Sequence, residues 1–264
     1  KLKGVEYIDQ NPIGKSSRSN PVTYIKVYDD IRNLFASLEL SKIRNYKPKH
    51  FSFNVDGGRC ENCKGEGSLT IEMQFMADVV VECNECKGTR FKNEICEVQY
   101  NGKSINELLN MTVDDSIVFF QSNNENKIAQ KLKPLSDVGL GYVTLGQSSS
   151  TLSGGEAQRI KLASFLSNRN FENNILFIFD EPTTGLHFHD INKLVNSFYH
   201  LIEKGHSVIV VEHNIDLIKI ADHIIDLGPE AGEKGGEIIA EGNLKKIINN
   251  KKSFTGKYLL KQLN

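Results

Sequence analysis

Two Cys-x-x-Cys pairs, Cys60 with Cys63 and Cys83 with Cys86, stand 19 residues apart in this 264-residue chain. Thiolates two residues apart can reach one ion only where the backbone turns tightly between them. Glycines follow each pair where such turns need them: Gly65 and Gly67, then Gly88. The first residues lack the basic-then-apolar layout of a secretion signal, so a metal rather than disulfides is the expected use of the four thiols. Four thiolates around Zn2+ leave no open coordination position, which points to holding a small module together and not to activating water. A redox dithiol or an iron–sulfur centre fits the paired knuckles less well. Between the pairs the chain must fold back on itself. Leu69, Ile71, Met73 and Phe75 alternate with polar neighbours in the period of a half-buried strand, with 79–81 as its return strand. Cys96, outside the pairs, reads as a small buried hydrophobe.

Downstream the pattern changes to helices alternating with strands over 175–179, 208–211 and 223–227, which predicts an α/β lobe with a mostly parallel sheet. The first two strands are continuous apolar runs, as strands covered on both faces are. Upstream, 5–8 reads as a short strand and 9–21 as loop. A helix carries Ile31, Leu34, Phe35 and Leu38 on one face, with Asp29 or Asp30 as its cap. Ser104 and Glu107 have the form of a capping box, and 126–140 reads as helix. Hydrophobic residues at 39% and charged residues at 25% fit a folded globular chain rather than a disordered one. No apolar run approaches the ~20 residues needed to cross a membrane, so a cytoplasmic location is expected. Net charge is −1, yet residues 1–60 hold 11 Lys/Arg against 6 Asp/Glu. That excess is compatible with phosphate contact and equally with an ordinary solvated face.

The strand 175–179 delivers two consecutive carboxylates, Asp180 and Glu181, at its carboxyl end, where open α/β sheets bind ligands. Asp180 is suited to hold Mg2+ and Glu181 to orient or deprotonate a water attacking a γ-phosphate. His213 closes the next strand and could contact the same phosphate. Ahead of them, Leu152-Ser153-Gly154-Gly155-Glu156-Ala157-Gln158-Arg159 opens a helix. Ser153 and Glu156 can cap it, and Gly154 and Gly155 let backbone N–H groups approach an anion at the positive helix end. Gly14-Lys15-Ser16 imitates the tail of a phosphate-binding loop. It fails as one: Asp9 stands where the first glycine is required, Pro12 lies inside, and no helix follows.

Taken together, Leu152–Arg159, the run Asp180-Glu181-Pro182-Thr183-Thr184-Gly185-Leu186-His187 and His213 resemble the ATP-binding-cassette superfamily. The four-cysteine insertion, with Asp9-Gln10-Asn11-Pro12-Ile13-Gly14, Arg18-Ser19-Asn20-Pro21, Phe51-Ser52-Phe53-Asn54-Val55 and Asp226-Leu227-Gly228-Pro229-Glu230, is similar to the bacterial UvrA family, the damage-sensing subunits of the excinuclease ABC system. The resemblance implies a second nucleotide-binding half. Residues 1–10 would end an ATP-binding lobe, 11–125 would form an inserted signature domain with its zinc module at about 51–100, and 126–264 would complete the lobe. It implies Gln10 as the Q-loop residue, Ser153, Gly154, Gly155 and Glu156 as signature residues closing over ATP, and Asp180, Glu181 and His213 as Walker B acid, catalytic glutamate and H-loop histidine. ATP, Mg2+ and Zn2+ are the implied cofactors, and damaged double-stranded DNA, UvrB and a second UvrA copy the implied partners. Lys15, where the family is expected to have arginine, with Arg18, Lys42, Arg44, Lys47, Lys49 and Arg59, are the candidates for DNA-backbone contact. The family's Walker A loop would lie upstream of Lys1, so a fragment inactive by itself is expected. Two other readings are a different ATP-binding-cassette ATPase, of transport or chromosome maintenance, and a DnaJ-like zinc-ribbon binding module. Transport subunits lack a four-cysteine insertion at this place, and the zinc-ribbon module leaves Leu152 to His213 unexplained.

Overall fold

A computed structural model describes residues 2–14, 16, 18–73, 78–167, 174–229 and 235–263. Lys15 and Phe75 lie outside the described residues. The heart of the lobe is a three-stranded parallel sheet in the order β1 (Gly4–Ile8), β6 (Ile175–Asp180), β7 (Ser207–Val211). Register aligns Tyr7 with Ile178 and Ile178 with Ile209. Phe177 and Phe179 point to the buried face, where Phe165 of the helix Gly154–Ser167 and Phe198 of the helix Phe188–Glu203 meet them. The opposite face bears Val5, Tyr7, Ile209 and Val211, each at least half exposed. The expectation of strands covered on both faces thus holds for one face among the described residues; their apolar outer side is open.

One apolar cluster runs from Ile8 through Phe35, Phe51, Phe53, Phe91 and Leu132 to Leu217, so the insertion and the sheet share a core. The helix Tyr28–Ser37 buries Ile31 and Phe35 as its spacing predicts. Its cap differs: the helix begins at Tyr28, so Asp29 and Asp30 fall in its first turn, where carboxylates favour the positive end without capping it. The capping box at Ser104 forms, with Ser104 N donating to Glu107 Oε2 at 2.8 Å. The helix expected over 126–140 spans Asn126–Asp137.

β2 (Ser68–Ile71) and β3 (Val79–Glu82) make the expected antiparallel hairpin. It is not half-buried. Every residue of β3 is exposed, and among the described residues only Leu69 of β2 packs on the cysteine cluster, whose four small thiols offer little surface. A short antiparallel pair, β4 (Gln99–Tyr100) with β5 (Lys103–Ser104), follows. The third strand expected in the parallel sheet does form, as β8 (Ile224–Gly228). It pairs instead, antiparallel, with β9 (Glu237–Gly242). That pair has its own small core of Ile224, Ala240, Ile247 and Leu259. No described helix is long and apolar enough to cross a membrane.

Candidate nucleotide site and metal centre

The sheet's carboxyl end gathers residues that stand far apart in sequence. β6 ends in Asp180, whose Oδ2 accepts from Tyr7 Oη at 3.1 Å across from β1. That bond raises the Tyr7 pKa. The backbone carbonyl of Asp180 accepts from Gln10 Nε2 at 3.4 Å and from Gln158 Nε2 at 3.0 Å. Gln158 is buried and donates to Ile8 O at 2.7 Å as well. One amide of the signature helix therefore ties the ends of both strands together. Lys161, one turn further along that helix, pairs with the Asp9 carboxylate and donates to its carbonyl at 3.2 Å. That ammonium holds Asp9 below the usual carboxylate range.

Glu181 adopts φ +45°, a left-handed conformation that a non-glycine residue takes only at some cost. Its amide is held by Val211 O at 2.9 Å, and its carbonyl accepts from Thr184 N at 3.1 Å. The turn directs the side chain to solvent, where His213 Nδ1 lies 3.7 Å from Glu181 Oε1. Asp180, Glu181, His213 and Gln10 thus stand at one end of the sheet.

The signature helix, Gly154–Ser167, begins beside them. Ser153 N donates to Glu156 Oε2 at 2.7 Å, and Glu156 N to Ser153 Oγ at 3.2 Å, the reciprocal cap expected from their spacing. Gly155 is required for space, and Gly154 is tightly packed. A Cβ on Gly154 would lie 3.0 Å from Gln10 Cβ, and one on Gly155 2.6 Å from Thr184 O. Among the described residues Arg159 is the largest fully buried side chain; burial pulls its pKa down, opposed by nearby Tyr142 and Glu156. Tyr142 Oη donates to Glu156 Oε1 at 2.5 Å. Burial and that carboxylate push the Tyr142 pKa up to about 12. Sequence reasoning missed Tyr7, Gln158, Lys161, Tyr142 and Arg159. For Gln158 and Arg159 a signal existed, since they stand between Ala157 and Ile160 in the stretch that the helix buries.

The four cysteines come together as their spacing predicts. Their sulfurs all lie within 4.8 Å of one another and are buried. Cys60 Sγ is 3.9 Å from Cys83 Sγ, and Cys63 Sγ 3.6 Å from Cys86 Sγ. Zn–S bonds of about 2.3 Å in a tetrahedron require sulfurs about 3.8 Å apart, so the cluster fits zinc. Gly67 N and Asn62 Nδ2 donate to Cys63 and Cys83 Sγ at 3.3 and 3.5 Å, which favours thiolates. Hydrogen bonds from the backbone at Cys86 bring the Cys83 thiol down to about 7. Both knuckles turn through left-handed residues, Lys64 with Gly65 and Lys87 with Gly88. Cys96 is half-buried and apart from the cluster.

The basic candidates divide in two. Arg18 and Arg59 converge on the first knuckle, each donating to Lys64 O at 3.2 Å, and are paired with Glu66 and Asp56. Arg44 pairs with Glu97 at 2.6 Å. Lys42, Lys47 and Lys49 are exposed and form no ion pair among the described residues.

A parallel sheet ending in paired acids, with the Ser-Gly-Gly-Glu helix against its edge, defines an ATP-binding-cassette-type ATPase lobe, here bearing a four-cysteine module. Comparison narrows the class. The chain is 57% identical over 256 residues to UvrABC system protein A of Clostridium perfringens, covering 97% of this chain and 27% of that protein. It is 53% identical over 269 residues to the Aquifex aeolicus UvrABC system protein A, covering 100% of this chain and 29% of the relative. The crystal structure of UvrA2 from Deinococcus radiodurans superposes with a TM-score of 0.92 at 43% identity, covering 100% of this chain and 32% of that one. No protein-family model matches. The chain belongs to the UvrA family and spans under a third of the length of the relatives it matches.

Proposed function

We propose that this chain works as the signature-helix and Walker B portion of an excision-repair ATPase, in which ATP binding and hydrolysis govern binding to distorted DNA and loading of UvrB. The observation that carries the reading is the convergence of Gln10, Asp180, Glu181 and His213 at one sheet end, with His213 Nδ1 3.7 Å from Glu181 Oε1. Bound Mg2+-ATP supplies the transferable γ-phosphoryl group. Asp180, oriented by Tyr7, would hold the metal; Glu181 would accept a proton from the attacking water; His213 and Gln10 would contact the phosphate. Ser153, Gly154, Gly155 and Glu156 present amides and a helix end to the nucleotide of an opposing cassette. Residues 11–125 act as the signature domain, stapled by Zn2+, and 126–264 as the remainder of the ATPase lobe. The protein works as a dimer in the cytoplasm.

DNA is held through its backbone, which suits recognition of distortion rather than of sequence. Free exposed Lys42, Lys47 and Lys49 are the first candidates. Arg18, Arg44 and Arg59 must first exchange an internal acid for a phosphate. Replacing Glu181 with Gln in the intact protein tests the ATPase reading: turnover is expected to fall about 100-fold or more with ATP still bound. Normal turnover would sink the role of this carboxylate. Lys42, Lys47 and Lys49 changed together to Ala should flatten the salt dependence of DNA binding by about three units of slope at most.

A further inference from the structure

Glu212 stands between two functional loops and belongs to neither resemblance nor motif. One carboxylate oxygen accepts from Thr183 N at 2.8 Å and from the Thr183 hydroxyl. The other accepts from His213 N at 2.8 Å and Asn214 N at 2.9 Å. We propose that Glu212 is a positioning residue for the ATPase site, clamping the loop after the paired acids to the loop that carries His213; the inference rests on the ATPase reading above.

Thr183 and Glu212 are 29 residues apart in sequence, so the clamp is a tertiary feature. A carboxylate offers two oxygens, several lone pairs and no donor, which is what four converging N–H and O–H groups demand. An amide in its place would turn an NH2 group toward two of those donors, and a hydroxyl would reach one loop only. The anion makes each bond charge-assisted and therefore short and directional. Thr183 lies two residues beyond Glu181, whose left-handed backbone needs an external constraint to persist. Val211 O supplies one, through the Glu181 amide, and Glu212 supplies the next along the chain. Both flank the same strand end. The clamp therefore fixes the spacing between the catalytic carboxylate and the imidazole that faces it at 3.7 Å.

Steady-state ATP hydrolysis by the intact protein tests this with Glu212→Gln, Thr183→Val and Glu181→Gln. Glu212→Gln should lower kcat about tenfold or more while the KM for ATP stays within about threefold, the pattern of lost alignment rather than lost binding. Thr183→Val should lower kcat less, and the double variant should be no worse than Glu212→Gln alone, since both changes cut one coupling. A Glu212→Gln kcat within about twofold of the unsubstituted protein overturns the clamp, as does an effect confined to KM. A lowered Tm with unchanged kcat per folded molecule also overturns it. If Glu212→Gln does not fold, Thr183→Val decides by the same kcat criterion. Loss of turnover in Glu181→Gln beside a normal Glu212→Gln overturns the clamp alone. Normal turnover in Glu181→Gln overturns the catalytic role of that carboxylate, and with it the clamp that aligns it.

Discussion

Gly155 has 2.6 Å between a hypothetical Cβ and Thr184 O, which leaves no room for even one methyl group. Gly155→Ala must push the signature helix from the loop behind Glu181, at a cost of about 1–3 kcal/mol, seen as a lower urea midpoint. Gly154→Ala meets Gln10 Cβ at 3.0 Å, tight but short of the overlap at Gly155, and should be the milder change. Asp9 offers a prediction in pH. Its pKa is lowered by the Lys161 ammonium, so its contribution to stability is present above the ordinary Asp value of about 3.9 and is lost as pH falls through the lowered value. Lys161→Met should therefore destabilise the chain at pH 7, and the gap from the unsubstituted protein should close in acid. Urea titrations at pH 7 and pH 3 measure it.

Elements governed by local chemistry were legible in the sequence. The caps at Ser104 and Ser153 bond residues three apart, and the cysteine knuckles turn within four. Contacts such as Tyr7 with Asp180 and Gln158 with Ile8 span 173 and 150 residues, beyond any spacing rule. Strand β8 was legible as a strand but not in its pairing, because its antiparallel partner β9 is decided by the chain's return path and not by the strand's own letters. For the hairpin of β2 and β3, the apolar alternation misled: its side chains are exposed and its order depends on the cysteines below. Chelation or Cys83→Ser is thus expected to release about one zinc per chain. Amide protection should be lost across Ser68–Ile71 and Val79–Glu82, while the helix Gly154–Ser167 keeps its own. Hydrogen exchange followed by mass spectrometry reads both. The flanking Phe53 and Phe91 belong to the main core and should keep the base of the module in place.

For the whole molecule, the open face of the parallel sheet has the larger consequence. Val5, Tyr7, Ile209 and Val211 are 58%, 57%, 50% and 55% exposed on the two strands that flank β6, an apolar patch of the kind that associates in water. The 264-residue chain alone is expected to sediment as concentration-dependent oligomers. Val5→Lys with Ile209→Lys should return it to monomer without a change in far-ultraviolet circular dichroism. Strand ends are another matter. Asp180 is gripped at two points: Tyr7 Oη donates to its carboxylate, and Gln10 and Gln158 donate to its backbone carbonyl. The conformational entropy of arranging that residue is consequently surrendered once, when the chain folds, and on the proposed reading need not be surrendered again each time a ligand binds.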